Sequence, residues 1–120
     1  MRRRHDAGMV TVEGAIVLCA FVTVLGFALA AITAVTDQLR CTDAAREAAR
    51  LAARGEPDRA RTAAETIAPR GAHVAIQLDG DTIAVEVAAT PAGGLIPGLH
   101  VTGHAFAVAE PDSANPEGEP

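Results

Sequence analysis

From Gly14 to Thr36 the chain carries no charged side chain. Its apolar heart, Ala15 to Val35, makes with Gly14 about 22 residues, or roughly 33 Å as a helix, enough to cross ~30 Å of hydrocarbon. The whole chain has only 120 residues, and so small a remainder cannot surround a helix that is apolar on all sides. The run therefore reads as a transmembrane helix over residues 9–36. What is left must make its core from small side chains. There are 27 alanines and three phenylalanines, with no tyrosine or tryptophan. Phe21 and Phe27 fall inside the apolar run, which leaves Phe106 as the aromatic of a water-soluble core. Such a core offers no roomy aromatic pocket, so a small-molecule substrate is not expected. Ten arginines and no lysine face fifteen acids, for a net charge of −5. With no basic patch interleaved with aromatics, a nucleic-acid partner is not expected either.

The apolar run is uneven around its axis. At 100° per residue, Ala15, Cys19, Thr23, Gly26, Ala30 and Ala34 fall on one side, and Leu18, Phe21, Val22, Leu25, Leu29 and Ile32 on the other. Small residues on one flank let a neighbouring backbone come close, so this is the expected helix-packing face. Arg2, Arg3 and Arg4 precede the span. They hold the N-terminus in the cytoplasm and put residues after about 37 outside a cell membrane crossed once. Arg40, Arg46 and Arg50 weaken that bias from the far end. Three kinds of processing suit such a segment. A lipoprotein cut is disfavoured by Leu18 before Cys19. A signal-peptidase cut fits Ala28-Leu29-Ala30. A third cut, after Gly8, would leave Met9 first and Glu13 fifth.

A short basic leader, then a glycine, four residues and a glutamate ahead of a long apolar helix resembles a type IV prepilin. The segment from Arg40 to Gly55, with Cys41, Asp43, Arg46, Glu47, Arg50 and Arg54 among alanines, sharpens the match. Over Gly8 to about Glu110 the chain is similar to the TadE-like minor pilins (pseudopilins) of the tight-adherence pilus system. That resemblance implies a pilin-like α+β fold, cleavage by a prepilin peptidase, residence in membrane lipid, and association with other pilin subunits and the pilus assembly machinery. It implies no catalytic role. It makes residues 1–8 the leader, Met9 the new N-terminus and Glu13 the fifth-position acid. Major pilins of the system follow that acid with tyrosine. Gly14 stands there here, which argues against the bulk fibre subunit.

Glu13 also has a physical rationale. A carboxylate near the membrane boundary is costly unless paired. Cleavage after Gly8 creates an ammonium at Met9, one helical turn away, which pairs with Glu13 of the same or a neighbouring subunit.

Residues 37–110 read as an extracytoplasmic domain. Nothing breaks helix from Asp37 to Arg54, and Gly55 and Pro57 end it. Arg46, Arg50 and Arg54 share one side with Asp43 and Glu47, giving Asp43–Arg46 and Glu47–Arg50 pairs. Cys41, Ala45, Ala48 and Ala52 line the opposite side, flanked by Ala44, Ala49 and Leu51. The span and this segment form one helix of about 45 residues. A shorter helix is expected over Asp58 to Ala68. Val74, Ile76 and Leu78 alternate as in a strand, as do Ile83, Val85 and Val87. A two-residue Asp79-Gly80 loop between them would pair Ile76 with Ile83 and Val74 with Val85. A third strand is expected over Leu99 to Ala109, with a bulge at Gly103 to reconcile Val101 with Phe106 and Val108. The fold class is therefore α+β: a long helix, membrane half then amphipathic half, on a small antiparallel three-stranded sheet. Residues 111–120 are acidic and Pro-rich and read as a disordered tail.

The remaining chemistry is thin. On a continuous helix Cys19 and Cys41 are too far apart to bridge within one subunit, so Cys41 either packs as a small side chain or bridges to another subunit. His100 and His104 would stand ~13 Å apart along a strand, too far for one metal, so no metal and no cofactor are expected. Ser113 is the only serine, and there is no phosphate loop or CxxC. Two alternatives to the pilin-like reading stay open. One is a small secreted binding domain released after Ala30; the other is an uncleaved single-pass membrane accessory protein.

Overall fold

The structure, a computed structural model, describes residues 3–94 and 96–111. Helix α1 runs Arg3–Ala53, α2 Pro57–Ile67, and strands β1, β2 and β3 cover His73–Asp79, Thr82–Ala89 and Val101–Val108. A short 3-10 turn, Pro91–Gly94, precedes β3. The sheet is a three-stranded antiparallel meander in the order β1-β2-β3. Two compact units divide the chain, meeting between Ile32 and Thr33.

The first unit is helical from Arg3 onward. The helix thus starts inside the basic leader, ahead of the position 9 expected from the sequence. Nothing in Arg3–Ala7 forbids helix, and Gly8 alone is too weak a breaker to stop it. From Gly8 to Leu29 every residue is exposed.

The second unit holds the α+β core. The alanine side of α1 is buried where the periodicity puts it. Cys41, Ala44, Ala45 and Ala48 are fully buried, and Ala49, Ala52 and Ala53 nearly so. Gly55, at a φ of +79°, ends the helix. Its N–H donates to the Ala52 carbonyl (3.0 Å) and the Glu56 N–H to the Leu51 carbonyl (3.2 Å). This pattern satisfies the last carbonyls and needs a left-handed residue at position 55. Pro57 then opens α2, where a missing N–H costs nothing. Ala60 and Ala64, one turn apart, are its fully buried contacts. The expected second helix is confirmed with its bounds moved one residue earlier.

Facing these alanines, the sheet contributes Val74, Ile83, Val85, Val87, Ala89 and Val101. The large branched residues that are fully buried all come from the strands, and the helices contribute mainly alanine. Alanine lets helix and sheet approach closely, and the branched residues of β2 fill the space. Asp43–Arg46 (4.0 Å) and Glu47–Arg50 (2.6 Å) lie on the solvent side of α1 as expected.

Three expectations need correction. The β1–β2 loop is Gly80-Asp81, so Ile76 pairs with Val85 and Val74 with Val87. Gly80 takes a φ of +60° as the first loop residue, and the ladder gains the Leu78–Ile83 and Asp79–Thr82 pairs. The shift is two residues, so every side chain keeps its face. Second, β3 starts at Val101, and its register with β2 is unbroken, with no bulge at Gly103. Third, Phe106 is not in the core. It lies on the outer face and is 75% exposed, with Val108 at 68%. Straight pairing puts Val101, Gly103, Ala105 and Ala107 on the helix side, and Phe106 and Val108 on the other. The residues expected as a disordered tail lie, from 112 on, outside those described.

Gly103 has a different role from the one expected. A Cβ on it would overlap the backbone carbonyl of Cys41 and the amide nitrogen of Thr42. Helix α1 crosses β3 backbone to backbone here, and only glycine permits that approach.

Candidate functional site

Glu13 is the one acid on α1 between Met9 and Thr36. Helical geometry places it one turn beyond Met9, roughly 6 Å along the axis. Val10, Gly14, Val17, Leu18 and Phe21 form a shallow depression around it. Gly14 leaves the floor of that depression open, because it presents no side chain. Glu13 makes no hydrogen bond or ion pair to another described residue. A carboxylate beside exposed valine, leucine and phenylalanine is costly in lipid unless it is paired. Gly8, at the expected cut, has open space where a Cβ would stand.

Below it, Ala15, Cys19, Thr23 and Gly26 are exposed, while Ala30 and Ala34 are half-buried. The Thr23 hydroxyl donates back to the Cys19 carbonyl at 2.7 Å. That bond satisfies the only hydroxyl among them, so the face presents small groups and the Cys19 thiol. A Cβ at Gly26 would meet nothing within 4 Å. The face expected to pack against other helices is uncovered from Ala15 to Gly26. Helix α1 is long and apolar enough to cross a membrane, and none of its apolar stretch is buried.

Cys41 is fully buried and unpaired. The bridge to another subunit is therefore not available in this fold, because the sheet covers the sulfur. Burial, helped by the Asp37 carboxylate, pushes its thiol above the usual cysteine value. Both effects oppose the thiolate that disulfide chemistry needs.

Sequence reasoning missed two features. One is a polar cleft of about 580 Å³ between the end of α1 and α2, lined by Glu47, Arg50, Leu51, Arg54, Glu56, Asp58, Arg59, Thr62 and Ala63. The turn at Gly55 creates it. Arg50 pairs with Glu47, and Arg59 with Glu56 at 2.8 Å, so its charges largely neutralise one another. The Glu47 carboxyl is held below its ordinary value by the Arg50 hydrogen bond. The other is Gln38. Its Nε2 donates to the Thr102 carbonyl (2.9 Å) and its Oε1 accepts from the Thr102 N–H (3.3 Å). A lone glutamine on a helix gives no sequence signal of such a role. His104 stands 3.8 Å from Glu86 on the outer sheet face. Among the described residues no three potential ligands gather around a metal position.

No family model matches the chain, and no solved structure matches it. A curated relative does: "Apoptosis inhibitor Rv3655c" of Mycobacterium tuberculosis is 46% identical over 101 residues, covering 84% of this chain and 79% of that protein. The chain belongs to the family of that mycobacterial protein. At this identity the shared region spans well beyond the apolar helix, so the alanine-on-valine unit is part of the likeness.

Proposed function

We propose that the chain is a TadE-like minor pilin, a membrane-anchored structural subunit for assembly of a tight-adherence pilus or related secretion fibre. The observation that carries this reading is Glu13. A solitary acid, with no hydrogen-bond or ion-pair partner among the described residues, lies near the start of a helix of membrane-crossing length, five residues after Gly8. Cleavage after Gly8 by a prepilin peptidase releases an ammonium at Met9 for that carboxylate to meet. The small-residue face from Ala15 to Ala34 is then the surface on which neighbouring helices pack, and the outer unit contacts fibre or export components. A structural subunit of this kind needs no catalytic group and no cofactor. Mass spectrometry of the native N-terminus tests the cut, with a start at Met9 expected. Replacing Glu13→Ala is expected to preserve cleavage and lower surface fibre abundance by tenfold or more. Normal fibre abundance in that variant would overturn the pairing role.

A second reading has its own support. The relative is named an apoptosis inhibitor, and the second compact unit begins at Thr33, three residues after the signal-peptidase site proposed at Ala30. A secreted binding domain would start at Ala31. An uncut accessory protein would start at Met1. The same mass measurement separates all three.

A further inference from the structure

Strand β3 is the edge of its sheet, and one feature of it is already half used. In the β2–β3 ladder the odd-numbered residues of β3 bond toward β2. The pattern continues past the strand, where the Ala109 N–H donates to the Asp81 carbonyl at 2.8 Å. Even-numbered residues therefore direct N–H and C=O off the free edge. At Thr102 the Gln38 amide takes both groups, filling one rung as a neighbouring strand would. Two and four residues on, His104 and Phe106 direct the same pair of groups the same way, and no described residue meets them.

Helix α1 closes both ends of this edge, since the Glu110 N–H donates to the Ala53 carbonyl at 3.0 Å, but between them the strand itself lacks the usual sequence guards. Val101–Val108 contains no proline, no lysine, no arginine and no acid, and its register has no bulge. We infer that the His104–Phe106 edge of β3 pairs antiparallel with β3 of a second copy of this chain, joining two meanders into one six-stranded sheet. The open rungs fit only an extended backbone. The chain's own residues 111–120 are poorly suited, because Pro111, Pro116 and Pro120 each lack a donor. The other edge, β1, is partly closed, since Arg61 of α2 donates to the Val74 carbonyl at 3.5 Å. Charge points to self-pairing as well. β3 carries none of the fifteen acids and none of the ten arginines, so two β3 edges meet without like charges face to face. Pairing also brings the exposed Phe106 and Val108 of each copy beside those of the other on one continuous face. This interface lies in the second unit and does not depend on the pilin reading.

Amide hydrogen exchange on the full chain in detergent micelles, followed across protein concentration, tests it. His104 and Phe106 amides are expected to slow as concentration rises, in step with dimer seen by analytical ultracentrifugation. Phe106→Pro removes an outward N–H that β2 does not use, so the meander persists while self-association weakens about tenfold, the loss of ~1.4 kcal/mol. Phe106→Ser keeps the backbone rungs and weakens it less. If Phe106→Pro fails to fold, exchange in the native chain decides alone. A dimer that leaves both amides unprotected, as a dimer made through α1 would, overturns the proposal. So does concentration-independent exchange, or an undiminished dimer in folded Phe106→Pro.

Discussion

Gly103 and Cys41 define the tightest point of the molecule at the level of single residues. A methyl group at position 103 has nowhere to go, because its obstacles are backbone atoms of α1 and not a side-chain tip. Gly103→Ala is therefore expected to destabilise the outer unit by about 1–3 kcal/mol or more, read as a lowered denaturant midpoint. Gly80→Ala, strained by its positive φ but otherwise unobstructed, is expected to cost less. Cys41 gives a second prediction at this scale. Its raised thiol pKa and full burial should leave it unreactive toward an alkylating reagent at neutral pH until the fold opens. Labelling of Cys41 in the native state, measured by mass spectrometry, would contradict the buried position. The sequence named Cys41 as either packed or bridging, and could not choose. Only the strand laid over it decides.

Among the elements, α1 is the most legible in the sequence and β3 the least. The buried side of α1 follows from alanine spacing, and its end from Gly55 and Pro57. The opposite side is held by local ion pairs, and here pH enters. The Glu47 carboxyl is depressed below its ordinary value, so the stability from its pairing with Arg50 is present above that value and lost as pH falls through the depressed one. Helical circular dichroism of the outer unit is expected to fall as pH drops below the ordinary glutamate range, with a smaller change in Glu47→Gln. The pair is exposed, so the effect is small and screened by salt. Gln38 ties α1 to β3 through two hydrogen bonds. Gln38→Ala is expected to cost about 1–2 kcal/mol and to speed exchange of the Thr102 amide. β3 resists reading from sequence because Phe106 is the only phenylalanine outside the apolar run, and an aromatic is expected inside. The straight register puts it outside, with no local signal in the strand to say so.

The units differ in kind across the whole chain. The first, through Ile32, buries nothing of its own along its apolar stretch. Among the described residues, the second contains every buried side chain, from Cys41 onward. A fragment beginning at Ala31 is therefore expected to keep the three-stranded sheet and unfold cooperatively without the preceding helix. Loss of sheet signal in that fragment, by circular dichroism, would show that the outer core needs the helix ahead of it. The same fragment is what a signal-peptidase cut would release, so its solubility also bears on the secreted reading.

The amino-acid order alone determined what depends on neighbours within a turn or two. The charge-free run sets the long helix, alanine at i, i+3 and i+4 sets its buried side, and alternation of Val and Ile sets the first two strands. It determined the faces of the hairpin but not its register, because a two-residue slip leaves alternation unchanged and a left-handed Gly80 suits either loop. The tertiary structure decided what depends on distant backbone. Gly103 became a crossing point in place of a bulge, Gln38 became a surrogate strand, and Phe106 was left outside. Each follows from where α1 comes down on β3, a contact between residues more than sixty apart in the chain, which no local pattern encodes.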